Sequence, residues 1–192
     1  MRKGICLFLL FLLTACSAST PSVEYYTLSS MESESRLAET GDNSSRIIGV
    51  GPVIIPEYLE TTRIVTRSSP NKLTLNEYHR WAGSLKDELL RTLSENLAIL
   101  TGSRQVITYP WKGSVSPEIR IEIMLKQFEA IPGEKAVLKA TWMVSGNDQK
   151  SSITIHQTVI EESISTSEIE TIVAAESRLV ARLCKAVAAG LN

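Results

Sequence analysis

The 192-residue chain is poor in the residue types on which most protein chemistry depends. It has two histidines, His79 and His156, and three cysteines, Cys6, Cys16 and Cys184. No His-x3-His or Cys-x2-Cys spacing occurs, so neither a structural nor a catalytic zinc site has support. Aromatic residues make up 6% of the chain. An excess of basic residues is also missing: 20 Lys and Arg stand against 21 Asp and Glu. That balance offers no electrostatic footprint for nucleic acid. No apolar run reaches the roughly 20 residues that a membrane-spanning helix needs. Motifs of nucleotide and acyl chemistry are missing too. Gly49-Val50-Gly51 lacks the third glycine and following helix of a pyrophosphate cradle, and there is no Gly-x-Ser-x-Gly elbow. Ser69-Pro70-Asn71-Lys72 matches Ser-x-x-Lys formally, but it lies in a proline-bearing turn, without the Ser-Asp-Asn and Lys-Thr-Gly partners of that chemistry. Glu161 and Glu162 are neighbours on a predicted strand and point to opposite faces, so they cannot share a proton. These absences argue against an enzyme and call for no metal and no cofactor.

What is present begins at the N-terminus. Arg2 and Lys3 precede a nine-residue apolar stretch, Ile5 to Leu13, and then Leu13-Thr14-Ala15-Cys16. A positive start, a short apolar core and small residues before the cleavage point define a secretory signal. The cysteine at its end makes the pattern resemble the lipobox of bacterial lipoproteins. The reading is a signal peptide over residues 1–15, lipid attachment at Cys16, a tether over 16–22 and one domain over 23–192. Two or three acyl chains hold a protein firmly on a bilayer, where one does so only marginally. Ser17 follows the cysteine; by analogy with the enterobacterial sorting rule, the lack of aspartate there points to the outer membrane, periplasmic side. Loss of Arg2 and Lys3 with the signal takes the 20 basic residues to 18 against 21 acidic, a net charge near −3. Cys6 leaves and Cys16 is acylated, so Cys184 remains as a single thiol on an apolar helical stripe, where a buried inert thiol is the expectation.

The remaining chain alternates strand and helix signals. Val23 to Leu28 reads as a first strand and Ser29 to Ser45 as a mobile Ser- and Glu-rich loop. Ile47 to Ile55 is a mostly apolar, hence central, strand. Ile64–Arg67 and Lys72–Leu75 form a hairpin about Ser69-Pro70-Asn71, and Tyr78 to Trp81 a short extended piece. Ser84 with Asp87 three residues on resembles a capping box. Behind it Leu85, Leu89, Leu93, Leu97 and Leu100 recur at helical period, until Thr101-Gly102 stops the helix. After a short strand at Val106–Thr108, three longer ones follow. Ile119, Ile121, Ile123 and Leu125 alternate in the first, Leu138, Ala140, Trp142 and Val144 in the second, and Ile153, Ile155 and Val159 in the third. Alternation of this kind gives one packed and one wet face, with His156 on the wet one. A last helix begins near Ser167 and carries Ile169, Ile172, Val173, Leu179, Val180, Leu183 and Val187 on one side. The fold class is α+β: a single domain with a mixed, largely antiparallel sheet and two principal helices packed on one face.

Three segments then stand out together. Tyr26-Thr27-Leu28 comes soon after the lipobox. Pro56-Glu57-Tyr58-Leu59 closes a strand before Ile64-Val65-Thr66-Arg67. Asn76-Glu77-Tyr78-His79-Arg80-Trp81-Ala82 leads into the Leu-rich helix. In this order, and with the Leu-x-Ala-x-Trp segment at 138–142, the chain resembles the ABC-type transport auxiliary lipoproteins, a family that includes the lipoprotein component of the paraquat-inducible lipid-transport system. The resemblance implies an accessory or docking role without chemistry of its own. The implied partner is a protein with a mammalian-cell-entry (MCE) domain that moves lipid between two membranes. Family analogy also brings in a homo-oligomer, a ring about the end of a tube-shaped partner, which the residues themselves do not show. Tyr26, Leu28, Tyr58, Leu59, Asn76, Tyr78 and Trp81 carry the motifs and are the candidates for partner contact. For Tyr78 and Trp81 the first reading is as core anchors, and for Tyr58 and Leu59 as a cover over the end of the sheet; the alternative is an exposed aromatic patch that contacts a partner or a lipid tail. The polar strand–turn segment Thr66 to Asn71 is a second candidate contact surface. The competing function is a structural assembly lipoprotein for another outer-membrane complex, such as lipopolysaccharide export.

Overall fold

The computed structural model describes residues 21–32, 46–111, 115–147 and 153–191. The signal segment 1–15, Cys16 and most of the tether, together with residues 33–45 of the acidic loop, lie outside the described residues. In chain order the elements are β1 (Glu24–Tyr26), β2 (Ile48–Ile54), a 3-10 turn (Glu57–Leu59), β3 (Arg63–Ser69), β4 (Lys72–Trp81), α1 (Leu85–Thr101), β5 (Val106–Thr108), β6 (Ile119–Ile131), β7 (Lys135–Gly146), β8 (Thr154–Ser163) and α2 (Ile169–Ala189). All eight strands join one mixed sheet. Its long pairings, β6 with β7 and β7 with β8, are antiparallel, and short parallel ones attach β1 to β4 and β2 to β5. The α+β reading, one sheet with two helices, holds.

Strand β6 organises the sheet. One of its edges pairs with β7 along nearly its whole length. The other edge is shared: β2 runs parallel to residues 119–124, and β3 touches only at Ala130 opposite Thr66. The sheet therefore forks at β6. Two register breaks make this workable. In β2 the pairing shifts between Val50 and Val53, which leaves Val50 and Val53 both buried while Ile54 is exposed. In β6 the shift falls between Leu125 and Gln127. The extra residue changes the phase of the strand, so Ile121, Ile123 and Leu125 are followed by Phe128 and Ala130 in the core. Asn76 serves a third irregularity, between the Arg63 and Val65 pairings of the β3–β4 hairpin. Its Nδ2 donates to the Ile64 carbonyl at 2.8 Å, a backbone group the irregular pairing would otherwise strand.

Both helices form where their sequence signals lie. Ser84 caps α1, its Oγ accepting from the Asp87 N–H at 3.1 Å and donating to Asp87 Oδ2 at 2.7 Å. Gly102 ends it in the left-handed conformation, φ 67°, that favours glycine. Leu85, Leu89, Leu93 and Leu97 are buried as their spacing predicts. Helix α2 starts at Ile169, slightly later than its signal, with Glu168 at the cap position and no side-chain cap. Its Ile172, Leu179, Val180, Leu183 and Val187 pack on the sheet and on α1, and Cys184 is buried among them. Burial pushes that thiol up to about 12, which fits the inert reading. None of the described helices is long and apolar enough to cross a membrane.

Strand β8 departs from its pattern. The alternation of Ile153, Ile155 and Val159 suggests a packed face, yet these three are 62–66% exposed. The opposite face turns toward α2. There His156 stacks on Trp142 at 4.0 Å between ring centroids, Thr158 accepts from Trp142 Nε1 at 2.9 Å, Ile160 is buried, and Glu162 pairs with Arg178 and Arg182 of α2. His156 is thus on the helix-facing side, not the wet one. The register with β7, Trp142 opposite His156, decides the face, and a polar set that finds partners can be buried as readily as an apolar one.

Candidate functional site

The three family-like segments, far apart in sequence, meet at the end of the sheet where β4 passes into α1. Strand β1 lies parallel to the end of β4, with Tyr26 beside Trp81. The Ala82 N–H donates to the Tyr26 carbonyl at 2.8 Å and the Trp81 N–H to the Thr62 carbonyl at 2.7 Å. Leu28, Leu59 and Trp81 are 1–3% exposed and belong to the core. They build the neighbourhood and cannot themselves touch a partner. Tyr26 is half-buried; its hydroxyl donates to Glu24 at 2.6 Å and lies 3.1 Å from His79 Nδ1. Burial and then the Glu24 carboxylate push the phenol up to about 12.

Beside this junction opens a cleft of about 270 Å³ lined by Ile55, Leu59, Thr61, Thr62, Ser84 and Leu85, with Glu60 and Lys86 at its rim. Its walls are mainly apolar. The 3-10 turn that follows Pro56 supplies one side and the start of α1 the other.

Tyr58 turns away from the cleft into a polar knot at the fork of the sheet. Its hydroxyl donates to Glu129 Oε2 at 2.7 Å, while Arg67 Nε and Gln127 Nε2 donate to Oε1 at 2.7 and 2.8 Å. The Glu129 side chain is fully buried and that of Arg67 is 20% exposed. Burial and the bond to Glu129 raise the Tyr58 phenol above its ordinary value, and the same carboxylate raises Arg67. Beneath lies Glu176 of α2, fully buried, whose Oε2 has no hydrogen-bond partner among the described residues. Burial first, and then the Glu129 charge, raise Glu176 well above a normal carboxylate. Both Glu129 oxygens have donors, so the knot links the 3-10 turn, β3 and β6 at the fork.

Exposed aromatics lie on the opposite side of the β1–β4 pair. Tyr78 is 43% exposed, and Tyr25, 65% exposed, pairs in register with Arg80 two residues beyond Tyr78. Tyr25, Tyr78 and Arg80 share one face. Large amphipathic rings next to an arginine are the residue types that anchor protein interfaces. Sequence reasoning singled out Tyr78 but missed Tyr25 and Arg80. The period-two rule would have put Tyr25 with them once β1 was known to lie against β4. Glu129 was missed as well, although a carboxylate between Phe128 and Ala130 in a core strand is a visible oddity. Among the described residues no three His, Cys, Asp or Glu side chains gather to hold a metal ion.

The chain thus joins a lipobox-like N-terminal pattern to a forked α+β sheet with exposed aromatics at one edge. Residues 26–188 match the ABC-type transport auxiliary lipoprotein component family, and the chain belongs to it. Among characterised relatives, the intermembrane transport lipoproteins PqiC of Escherichia coli (strain K12) and of Shigella flexneri are each 24% identical over 149 residues, covering 78% of this chain and 77% of theirs. The fold recurs in solved structures. An uncharacterized protein superposes with a TM-score of 0.73 at 19% identity, covering 89% of this chain and 99% of that one. Protein XCC0632 from Xanthomonas campestris gives 0.69 at 13% identity, over 86% and 93%.

Proposed function

We propose that this chain is a non-enzymatic accessory lipoprotein, held by lipid on Cys16 at the periplasmic face of the outer membrane, that docks an MCE-domain protein of an intermembrane lipid-transport system. The observation that carries this reading is family membership over residues 26–188, nearly the whole described fold. The intermembrane transport role of the PqiC relatives supports the transport reading, and the Leu-Thr-Ala-Cys signal followed by Ser17 supports the anchor and its membrane. The contact surface is the exposed Tyr25, Tyr78 and Arg80 face, with the neighbouring apolar cleft as a socket for a partner side chain.

The test is affinity purification of the full-length protein from crosslinked cells, followed by mass spectrometry. An MCE-domain protein is the expected capture. Interface anchors of this kind contribute about 2 kcal/mol or more each, so Tyr25→Ala with Tyr78→Ala should lower that capture at least ten-fold without altering thermal unfolding. Recovery of a β-barrel or its assembly machinery alone would instead favour the role of assembly lipoprotein.

A further inference from the structure

The sheet ends in three free edges among the described residues, and they are not alike. Strands β1 and β5 are three residues long. Strand β8 is ten residues long and pairs only with β7. Proteins protect edges by keeping them short or by placing lysine or proline on them. Thr154 to Ser163 contains neither, so its outer N–H and C=O groups are open to an added strand. Such a strand would lie between two unlike walls. On the helix-free side Ile155 and Val159 are 66% and 64% exposed, and Lys139 stands exposed opposite Val159.

The other wall is helix α2. Arg178 and Arg182 both reach Glu162 of β8, and Arg182 Nη1 donates to the Glu161 carbonyl at 2.8 Å. At the far end Gly190 packs on the Trp142 ring, where an added Cβ would come within 2.9 Å, and that ring stacks on His156. Helix α2 therefore runs back along β8 from Glu162 to His156. Arg178, Arg182 and Lys185 stand at i, i+4 and i+7, one exposed stripe about 10 Å long on this flank. Two of the three cations share a single carboxylate, and Lys185 has no ion pair among the described residues. Glu161 is already matched by Lys135 at 2.9 Å. Glu170 precedes Arg178 by two turns, about 12 Å beyond the end of β8. The flank of the free edge is thus net positive.

We propose that the β8 edge takes up an extended segment of a different protein, whose backbone pairs with β8 and whose side chains alternate between acidic and apolar. The acidic positions face Arg178, Arg182 and Lys185, and the apolar ones lie beside Ile155 and Val159, as the period of two in a strand requires. An anionic bilayer would suit the cations and the apolar side chains but would leave the row of main-chain groups without partners. The surface stands apart from the Tyr25–Tyr78 docking face, so failure of that reading leaves it untouched.

The full-length chain in detergent micelles is titrated into a fluorescein-labelled heptapeptide of alternating valine and glutamate, with fluorescence polarisation as the readout. Saturable binding is expected, and none to the same peptide with lysine in place of glutamate. Lys185→Glu should weaken the glutamate peptide about ten-fold and admit the lysine peptide, with thermal unfolding unchanged because the site is exposed. Methylating the backbone nitrogens of the glutamate peptide should abolish binding, since its charge and side chains remain but its main-chain donors are lost. Equal binding of the methylated peptide, or indifference to Lys185→Glu, would overturn the proposal. So would a chain that leaves the peptide free, whether because two copies occupy each other's edge or because phosphatidylglycerol vesicles alone bind in a Lys185-dependent way.

Discussion

Glu129 and Glu176 are both buried carboxyls in contrasting surroundings. Arg67, Tyr58 and Gln127 all donate to the Glu129 carboxyl. Glu176 has no donor on Oε2 among the described residues, and burial first, then the Glu129 carboxylate, raise it well above the usual carboxylate range. This makes folding depend on pH. Well below the ordinary value of 4.5 both the folded and unfolded chains hold the proton, and Glu176 contributes no slope. Above it the unfolded chain releases the proton while the folded chain retains it. Stability then falls as pH rises, by up to about 1.4 kcal/mol per pH unit, until the folded group itself titrates. Glu176→Gln should remove that loss. Urea unfolding from pH 4 to 8 is expected to show the variant gaining on the parent as pH rises, and parallel curves would refute the assignment. The buried state of Glu176 was not readable from its helical stripe, because burial there depends on the sheet it meets.

At the scale of elements, helix α1 is the best-marked piece of the chain. Its cap, its leucine stripe and its stop are all local signals, and each is realised. Ser84→Ala should cost about 1 kcal/mol through loss of the Asp87 N–H acceptor, seen as a lowered midpoint in thermal unfolding. The hairpin about Pro70-Asn71 and the β6–β7–β8 meander were legible for the same reason, since turn residues and period two act within a few positions. Strand β8 was legible as a strand but not by face. Both of its faces can be read as packed, one by apolar content and the other by the partners that Trp142, Arg178 and Arg182 offer.

At the scale of the whole molecule, the segment that follows β1 is bound to both helices. The Leu28 N–H donates to Glu88 and its carbonyl accepts from Arg91; the Ser29 N–H donates to Ser177 and the Met31 N–H to Asn96 Oδ1 at 2.7 Å. Residues 29–31, which the sequence assigns to a mobile loop, are therefore pinned without forming a strand. Polar residues that look misplaced on core helices, Asn96 and Ser177, are the receptors. Asn96 is fully buried, so Asn96→Ala leaves the Met31 N–H without its partner and should cost about 1–3 kcal/mol. Hydrogen exchange should show faster exchange at Leu28 to Met31 than at the β6–β7 amides. An unchanged Met31 amide would mean the contact does not hold the segment. A segment fastened in this way fixes β1 and the end of β4 rigidly against the two helices.

The sequence by itself determined what short-range physics governs: the capped helix α1, the apolar stripe of α2, the turns, the meander, and through ordered motifs the family. Tertiary structure alone decided the rest. It drew β1 onto β4, so that Tyr26 and Trp81 meet. It forked the sheet at β6 and set Glu129 in the gap, sent Leu28, Leu59 and Trp81 to the core while leaving Tyr25 and Tyr78 outside, and chose the wet face of β8. Each of these depends on strand register, which the bulges in β2 and β6 shift by whole residues. A one-residue shift exchanges the two faces of a strand, and neither periodicity nor composition records it.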